Sequence, residues 1–277
     1  MPIPHMEAAP MINENEMPLT SRDISEGLRK IGVEEGMLLL VHSSMKAFGR
    51  WVVGGPEAVV LALEEAVGDS GTIVMPAQSS DLSEPSYWMR PPVPESWWPL
   101  IRAEMPAYRP DLTATRGMGA VVECFRRQEG TLRSAHPQVS FAARGPLAQT
   151  ILEPHLLSPA LGEGSPLERM AELGGRALLL GVDHERNTTL HLAEHRASYP
   201  NKEMLSQGSP MLRNGVREWV VFEDLAYRDD DFNVVGEAFE RDCPLAARGR
   251  IGDALVRLLP QRELIDYAAA WMEANRY

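Results

Sequence analysis

The 277-residue chain is short of cysteine, of basic charge and of long apolar runs. Cys124 and Cys243 are too few for a disulfide framework or a four-cysteine zinc site, and they suit a reduced, cytoplasmic setting. Lys and Arg number 27 against 39 Asp and Glu, a net charge of −12. That balance argues against nucleic acid, whose phosphates reward a basic face, and fits a cationic small molecule. No apolar run approaches the roughly 18 residues of a membrane span. The first 19 residues hold no Lys or Arg, and no apolar segment of secretory type follows. Residues 1–18, with four prolines, read as a flexible arm. There is no internal repeat, no P-loop, no G-x-G-x-x-G fingerprint and no G-x-S-x-G nucleophile elbow.

What is present is ordinary for a folded protein: 44% hydrophobic and 24% charged residues. Thr20 with Asp23 forms a capping pattern ahead of Ile24, Leu28 and Ile31 at helical spacing, and Gly32 ends that helix. Met37–Val41 is a short continuous apolar run, the mark of a strand buried on both faces. Gly54-Gly55-Pro56 opens a second helix over 57–67, and a second buried strand follows at 72–75. Strand, turn, helix, strand is a βαβ unit. It predicts an α/β fold with a mixed, largely parallel central sheet and helices on both faces. Further helices are expected at 119–126, 146–152, from Ser165-Pro166, at 189–197, 235–241 and 260–275. Further strands are expected at 139–143, 176–182 and 218–222. Residues 78–111 break the pattern with seven prolines and Trp88, Trp97 and Trp98, and read as a lid or binding wall. No linker divides the rest, so 19–277 reads as one domain.

The densest polar cluster is DHERNTTLHLAEH, Asp183 to His195, where a buried strand runs into a helix. Ligands of open α/β sheets bind beyond the carboxyl ends of strands. His191, Glu194 and His195 share a helical face. A histidine there can act as a general base, with Glu194 or Asp183 as the carboxylate that orients it. The same letters spell H-x-x-E-H, a zinc-peptidase pattern, for which Glu203 or Asp183 would have to supply the third ligand. His42, with Ser43 and Ser44, ends the first buried strand and makes an anion or carbonyl cradle beside the Gly54-Gly55 turn.

Six blocks occur in order: VHSSMKAFG (41–49), VGGPEAVVLALEEAVG (53–68), GTIVMPAQS (71–79), RSAHPQVSFAARG (133–145), LGEGSPLERM (161–170) and LLLGVDHERNTTLHLAEHRA (178–197). Together they resemble the aminoglycoside 3-N-acetyltransferase family over nearly all of the chain. The resemblance implies an α/β fold distinct from the common GNAT acetyltransferase fold, with acetyl-CoA as donor. The acceptor it implies is the 3-amino group of a 2-deoxystreptamine antibiotic. It makes His191 the general base, sets His42 beside the site, and puts Ser43, Ser44, Lys46, Val53, Gly54, Ser134 and His136 on the CoA side. Direct transfer needs no protein nucleophile and no metal. A polycationic acceptor suits an acidic cleft, for which Asp81, Glu84, Glu95, Asp111, Glu123 and Asp224 are candidates, with Asp230 and Asp231 further off. Three rivals stand beside this reading: the same chemistry on another amine, a zinc peptidase, and a non-catalytic drug-binding protein.

Overall fold

The computed structural model describes residues 17–89 and 91–277, so nearly all of the arm expected at 1–18 lies outside the described residues. Helix α1 (Ser21–Ile31) begins at the expected capping box, in which Thr20 and Asp23 exchange bonds, and ends at left-handed Gly32. Strand β1 (Leu38–Ser43), helix α2 (Gly55–Val67) and β2 (Thr72–Pro76) complete the first βαβ unit. Then come α3 (Trp98–Glu104), α4 (Ala120–Arg126), β3 (Leu132–Arg133), β4 (Phe141–Arg144), α5 (Ala148–Leu152) and α6 (Pro166–Glu172). Strand β5 (Arg176–Leu180) leads to α7 (Thr189–Arg196). The remainder is β6 (Met204–Arg213), β7 (Val216–Leu225), α8 (Phe232–Asp242), β8 (Ala247–Ile251), β9 (Ala254–Pro260) and α9 (Gln261–Asn275).

Seven strands form one sheet in the order β3-β4-β2-β1-β5-β9-β8. The centre, β2-β1-β5, is parallel, and the pairings outside it are antiparallel. Those pairings leave β3, β2, β1, β5 and β8 pointing one way and β4 and β9 the other, the mixed, mostly parallel sheet that the sequence predicts. Strand β1 shows why its apolar run is continuous. Leu39 and Val41 pack under α1, α2 and α4, while Leu38 and Leu40 face the core built with α5 to α9. Both faces are covered, so neither can be polar.

Three hairpin pairings were not anticipated, the short β3–β4 contact among them. The strand expected at 218–222 is the middle of β7, which pairs with β6 through an Asn214-Gly215 turn. Both turn residues have positive φ, as a two-residue hairpin of this hand requires. Strands β8 and β9 form a second hairpin, and its β9 closes the central sheet beside β5. The 78–111 stretch is tied to the body at Tyr108 and Met105. The Tyr108 N–H donates to the Pro210 carbonyl, its hydroxyl donates to the Ser134 carbonyl, and Arg217 donates to the Met105 carbonyl. The seven-stranded sheet carries a helical layer on each face.

Candidate active site

The chain leaves β1 for β2 on one side and later returns through β5 on the other. The carboxyl ends of β1 and β5 therefore flank a topological switch point. A cleft of about 390 Å³ opens there. Its wall includes His42, Ser43, Ser44 and Lys46 after β1, Gly117 to Val122 around the start of α4, and Thr188, His191 and Asp229.

His191 lies in the first turn of α7, and its Nδ1 is 3.0 Å from Glu194 Oε2 one turn on. Helical spacing alone makes this contact. The imidazole is fixed between rings, with Tyr227 at 4.8 Å and Phe232 at 4.9 Å. Glu194 is fully buried, and its Oε1 accepts from the Arg276 guanidinium and the Arg228 N–H, each at 2.8 Å. Burial would raise the Glu194 carboxyl, but the bonds from His191 and Arg276 outweigh it and hold the group below the usual carboxylate range. An ionised Glu194 accepts from Nδ1–H, which leaves the His191 Nε2 lone pair for the cleft.

His42 also borders the cleft, in a different state. Its Nε2 accepts from the Thr188 N–H at 3.1 Å and lies 2.8 Å from the Thr188 hydroxyl. Burial, with His191 adding to it, pushes His42 down to about 3, so this ring is neutral. It braces the turn entering α7 rather than orienting His191. The Ser43 hydroxyl, at the end of β1, has no hydrogen-bond partner among the described residues.

Other expected residues fall elsewhere. Asp183 is exposed and meets Arg257 at 3.4 Å, so the carboxylate in contact with His191 is Glu194. Val53 and Gly54 precede α2 and are absent from the cleft lining, although Gly54 does form the left-handed cap. Ser134 accepts from the Phe141 N–H and bonds His155, both at 2.9 Å. His136 accepts from the N–H groups of Gln138 and Val139 and sits near 4 because it is buried. These two bond within and beside the β3–β4 hairpin and are absent from the cleft lining.

The acids expected to grip an acceptor are absent from the cleft lining, and most of them are paired with other side chains. Glu84 pairs with Arg102, Asp111 with Arg109, Asp81 with Arg116, and Asp231 with Arg276. Glu123 is bound by Thr115 and Arg126, which overcome its partial burial and hold it at about 2. Asp224 is buried, a state that raises its carboxyl, and accepts from the Tyr227 hydroxyl at 2.8 Å. Glu95 is exposed in the 78–111 stretch, and Asp230 meets Arg228 at 3.5 Å. The carboxylates that do line the cleft are Glu185 and Asp229. They were missed because a carboxylate's position in the fold leaves no local trace in sequence.

The H-x-x-E-H letters do not assemble a metal centre. His195 Nε2 bonds the Tyr227 hydroxyl at 3.1 Å, and Glu194 is committed to His191 and Arg276. Glu203 is exposed, and no group of three or more His, Cys, Asp or Glu among the described residues is arranged for a metal ion.

Residues 40–273 match the model of a family described as aminoglycoside 3-N-acetyltransferase. The SPbeta prophage-derived aminoglycoside N(3')-acetyltransferase-like protein YokD of Bacillus subtilis is 42% identical over 266 residues, covering 96% of each chain. Its crystal structure aligns with a TM-score of 0.92 over 95% of this chain and 97% of that one. The CoASH binary complex of AAC-IIIb aligns with a TM-score of 0.83 and 28% identity, covering 93% and 97%. Sisomicin-bound AAC-VIa aligns with a TM-score of 0.84 and 30% identity, covering 94% of this chain and all of that one.

Proposed function

Because the chain belongs to the aminoglycoside 3-N-acetyltransferase family, we propose that it moves the acetyl group of acetyl-CoA directly to the 3-amino group of a 2-deoxystreptamine antibiotic. In this reading His191 is the general base and Glu194 orients it. The observation that carries the reading is the imidazole in the cleft wall, with Nδ1 committed to a buried carboxylate and Nε2 left for the cleft. The residues at the end of β1 suit the donor: Ser43, Ser44 and Lys46 line the cleft, and the Ser43 hydroxyl has no competing partner among the described residues. Acetyl-CoA supplies an activated thioester carbonyl. His191 Nε2 takes the proton that the amine gives up as its nitrogen bonds the acyl carbon, and passes it to the departing sulfur. Positioned base catalysis of this kind contributes ~10²–10⁴ in rate. The Ser43 hydroxyl is the donor we assign to the carbonyl oxygen as it gains negative charge. Glu185 and Asp229 receive ammonium groups of the acceptor. Acetylation turns a basic amine into a neutral amide, which removes a charge the antibiotic needs and makes the activity one of resistance. No helix among the described residues is long and apolar enough to cross a membrane. With both cysteines free, we place the enzyme in the cytoplasm.

The test is thiol release from acetyl-CoA with purified enzyme and an aminoglycoside panel that includes sisomicin, comparing the natural enzyme with His191→Ala. Turnover in the first and its loss in the second, with folding and CoA binding intact, is the expected result. Undiminished turnover in the variant removes the base assignment.

A second reading keeps the acyl transfer and changes the acceptor to another amine metabolite. One observation favours it: two carboxylates line the cleft, and one of them, Glu185, already meets Arg186 at 3.4 Å. Thiol release with a simpler amine and none with any aminoglycoside would select it. The zinc peptidase and the non-catalytic binder lose their support to the family match and to the commitments of Glu194 and His195.

A further inference from the structure

The carboxylate that holds His191 is itself held. Arg276 follows α9, and its side chain is only 2% exposed. Its Nη1 donates to Glu194 Oε1 at 2.8 Å. Its Nε and Nη2 donate to the two oxygens of Asp231, at 2.8 and 2.7 Å, and Nη2 also donates to the Arg228 carbonyl at 3.0 Å. The guanidinium lies over Tyr199, 5.0 Å from the ring centroid. One buried cation thus bridges a carboxylate on α7 and another just before α8. The planar fork suits this, because it engages Asp231 through two parallel bonds and still has an N–H for Glu194.

A carboxyl buried like Glu194 would favour the neutral acid if it had no compensating charge. Its proton could then occupy the side facing His191. The ring would present Nδ1 as acceptor and carry its own proton on Nε2, toward the cleft. We infer that Arg276 is a positioning residue for acyl transfer, and that the chain Asp231–Arg276–Glu194 keeps Glu194 ionised so that His191 offers an unprotonated Nε2. This rests on His191 being the base. Asp231 was expected as a distant contact for the acceptor; its assigned part here is to anchor the cation.

Other titratable groups face the chain from each packed element: His42 from β1, His195 on α7 itself, Tyr199 and Lys202 after α7, Asp224 at the end of β7 and Tyr227 beyond it. The substitutions below leave all of them in place, so they form a constant background.

The experiment uses the full chain with ¹⁵N-labelled histidine, the His191 signal being identified by its loss in His191→Ala. In the natural enzyme the nitrogen shifts should show Nδ1–H and a bare Nε2. Arg276→Met removes a positive charge, so the His191–Glu194 pair binds a proton more readily. The titration midpoint of the His191 signal should rise by about one unit, with a growing Nε2–H fraction. Asp231→Asn removes a negative charge and should move the midpoint the other way. Arg276→Lys keeps the charge and should stay close to the natural midpoint, while kcat falls about tenfold because the fork is lost. A purely structural staple would reduce stability in these variants and leave the midpoint in place. If Arg276→Met does not fold, the downward shift in Asp231→Asn and the unmoved midpoint in Arg276→Lys still decide. Coincident midpoints across the folded variants, or a shift of the same sign in Asp231→Asn and Arg276→Met, overturn the inference. Turnover measured separately in His191→Ala tests the base reading, so the two can fail independently.

Discussion

Glu194→Gln isolates the orienting carboxylate with little change of shape. Glu194 Oε1 accepts from Arg276 and the Arg228 N–H, both at 2.8 Å, while Oε2 faces His191 Nδ1 at 3.0 Å. A glutamine has one acceptor oxygen, and the donors on the Oε1 side, which include the Tyr199 hydroxyl at 3.4 Å, claim it. Its NH₂ then points at His191 and can only donate. Nδ1 must become the acceptor, and the ring proton moves to Nε2, the nitrogen left for the cleft. A base with its proton already in place cannot take another from the amine. The loss is bounded by what a positioned base supplies, ~10²–10⁴ in kcat. An equivalent change of a serine-protease triad carboxylate to its amide lowers kcat ≈10⁴ through the same wrong tautomer. Stability should suffer less than activity, by about 1–3 kcal/mol, because Arg276 keeps Asp231 and a neutral acceptor. Glu194→Ala, which strips a buried cation of one partner, should cost ~3–5 kcal/mol. The assay is steady-state thiol release with sisomicin, alongside urea melts and calorimetric CoA binding. A folded, CoA-binding Glu194→Gln enzyme with kcat close to the natural value would refute the tautomer argument.

Acid should destabilise the fold in a window set by buried histidines. His42 and His136 titrate near 3 and 4 in the folded chain, against 6.5 as the ordinary value. Their stabilising contribution is therefore complete above 6.5 and is lost as pH falls from there towards 4. Two such rings give about 3 kcal/mol per pH unit, and urea melts at pH 7, 6 and 5 that share one midpoint would contradict this. Gly236→Ala should destabilise the protein by about 1–3 kcal/mol, read as a lower Tm. The new Cβ would lie 2.0 Å from His184 Cγ, and His184 is itself pinned by Glu240. Asp229→Asn should raise the acceptor KM about tenfold or more, the worth of a lost charge-assisted bond. Asp111→Asn, whose carboxylate is spent on Arg109, should leave KM alone, and initial rates over acceptor concentration separate the two. Ser43→Ala should lower kcat by ~10²–10³ if its hydroxyl receives the carbonyl oxygen, with CoA affinity as the control.

What could be read in the sequence was local. Thr20 and Asp23 sit within one turn, the run at Met37–Val41 reports burial on both faces, and His191 and Glu194 meet because three residues make most of a helical turn. The Asn214-Gly215 hairpin was equally legible but is flanked by strands of mixed polarity, so its alternation is weak. Arg276 was not legible at all, since 82 residues separate it from Glu194 and only the packing of α9 beside α7 brings them together. The partners of the acids were not legible for a related reason. Acidity in sequence says nothing of a nearby cation, and Glu84, Asp111 and Glu123 had already found Arg102, Arg109 and Arg126. Ser134 and His136 carry the family's letters in a block whose work here is internal hydrogen bonding.

Acyl transfer by this route depends on where one ring nitrogen stands when both substrates are bound. A crystal structure of the ternary complex with CoA and sisomicin measures it directly. His191 Nε2 should lie within hydrogen-bond reach, ~2.6–3.2 Å, of the acceptor's 3-amino nitrogen, with Nδ1 still on Glu194. An Nε2 turned away from that nitrogen, or bound to a metal ion, would contradict it.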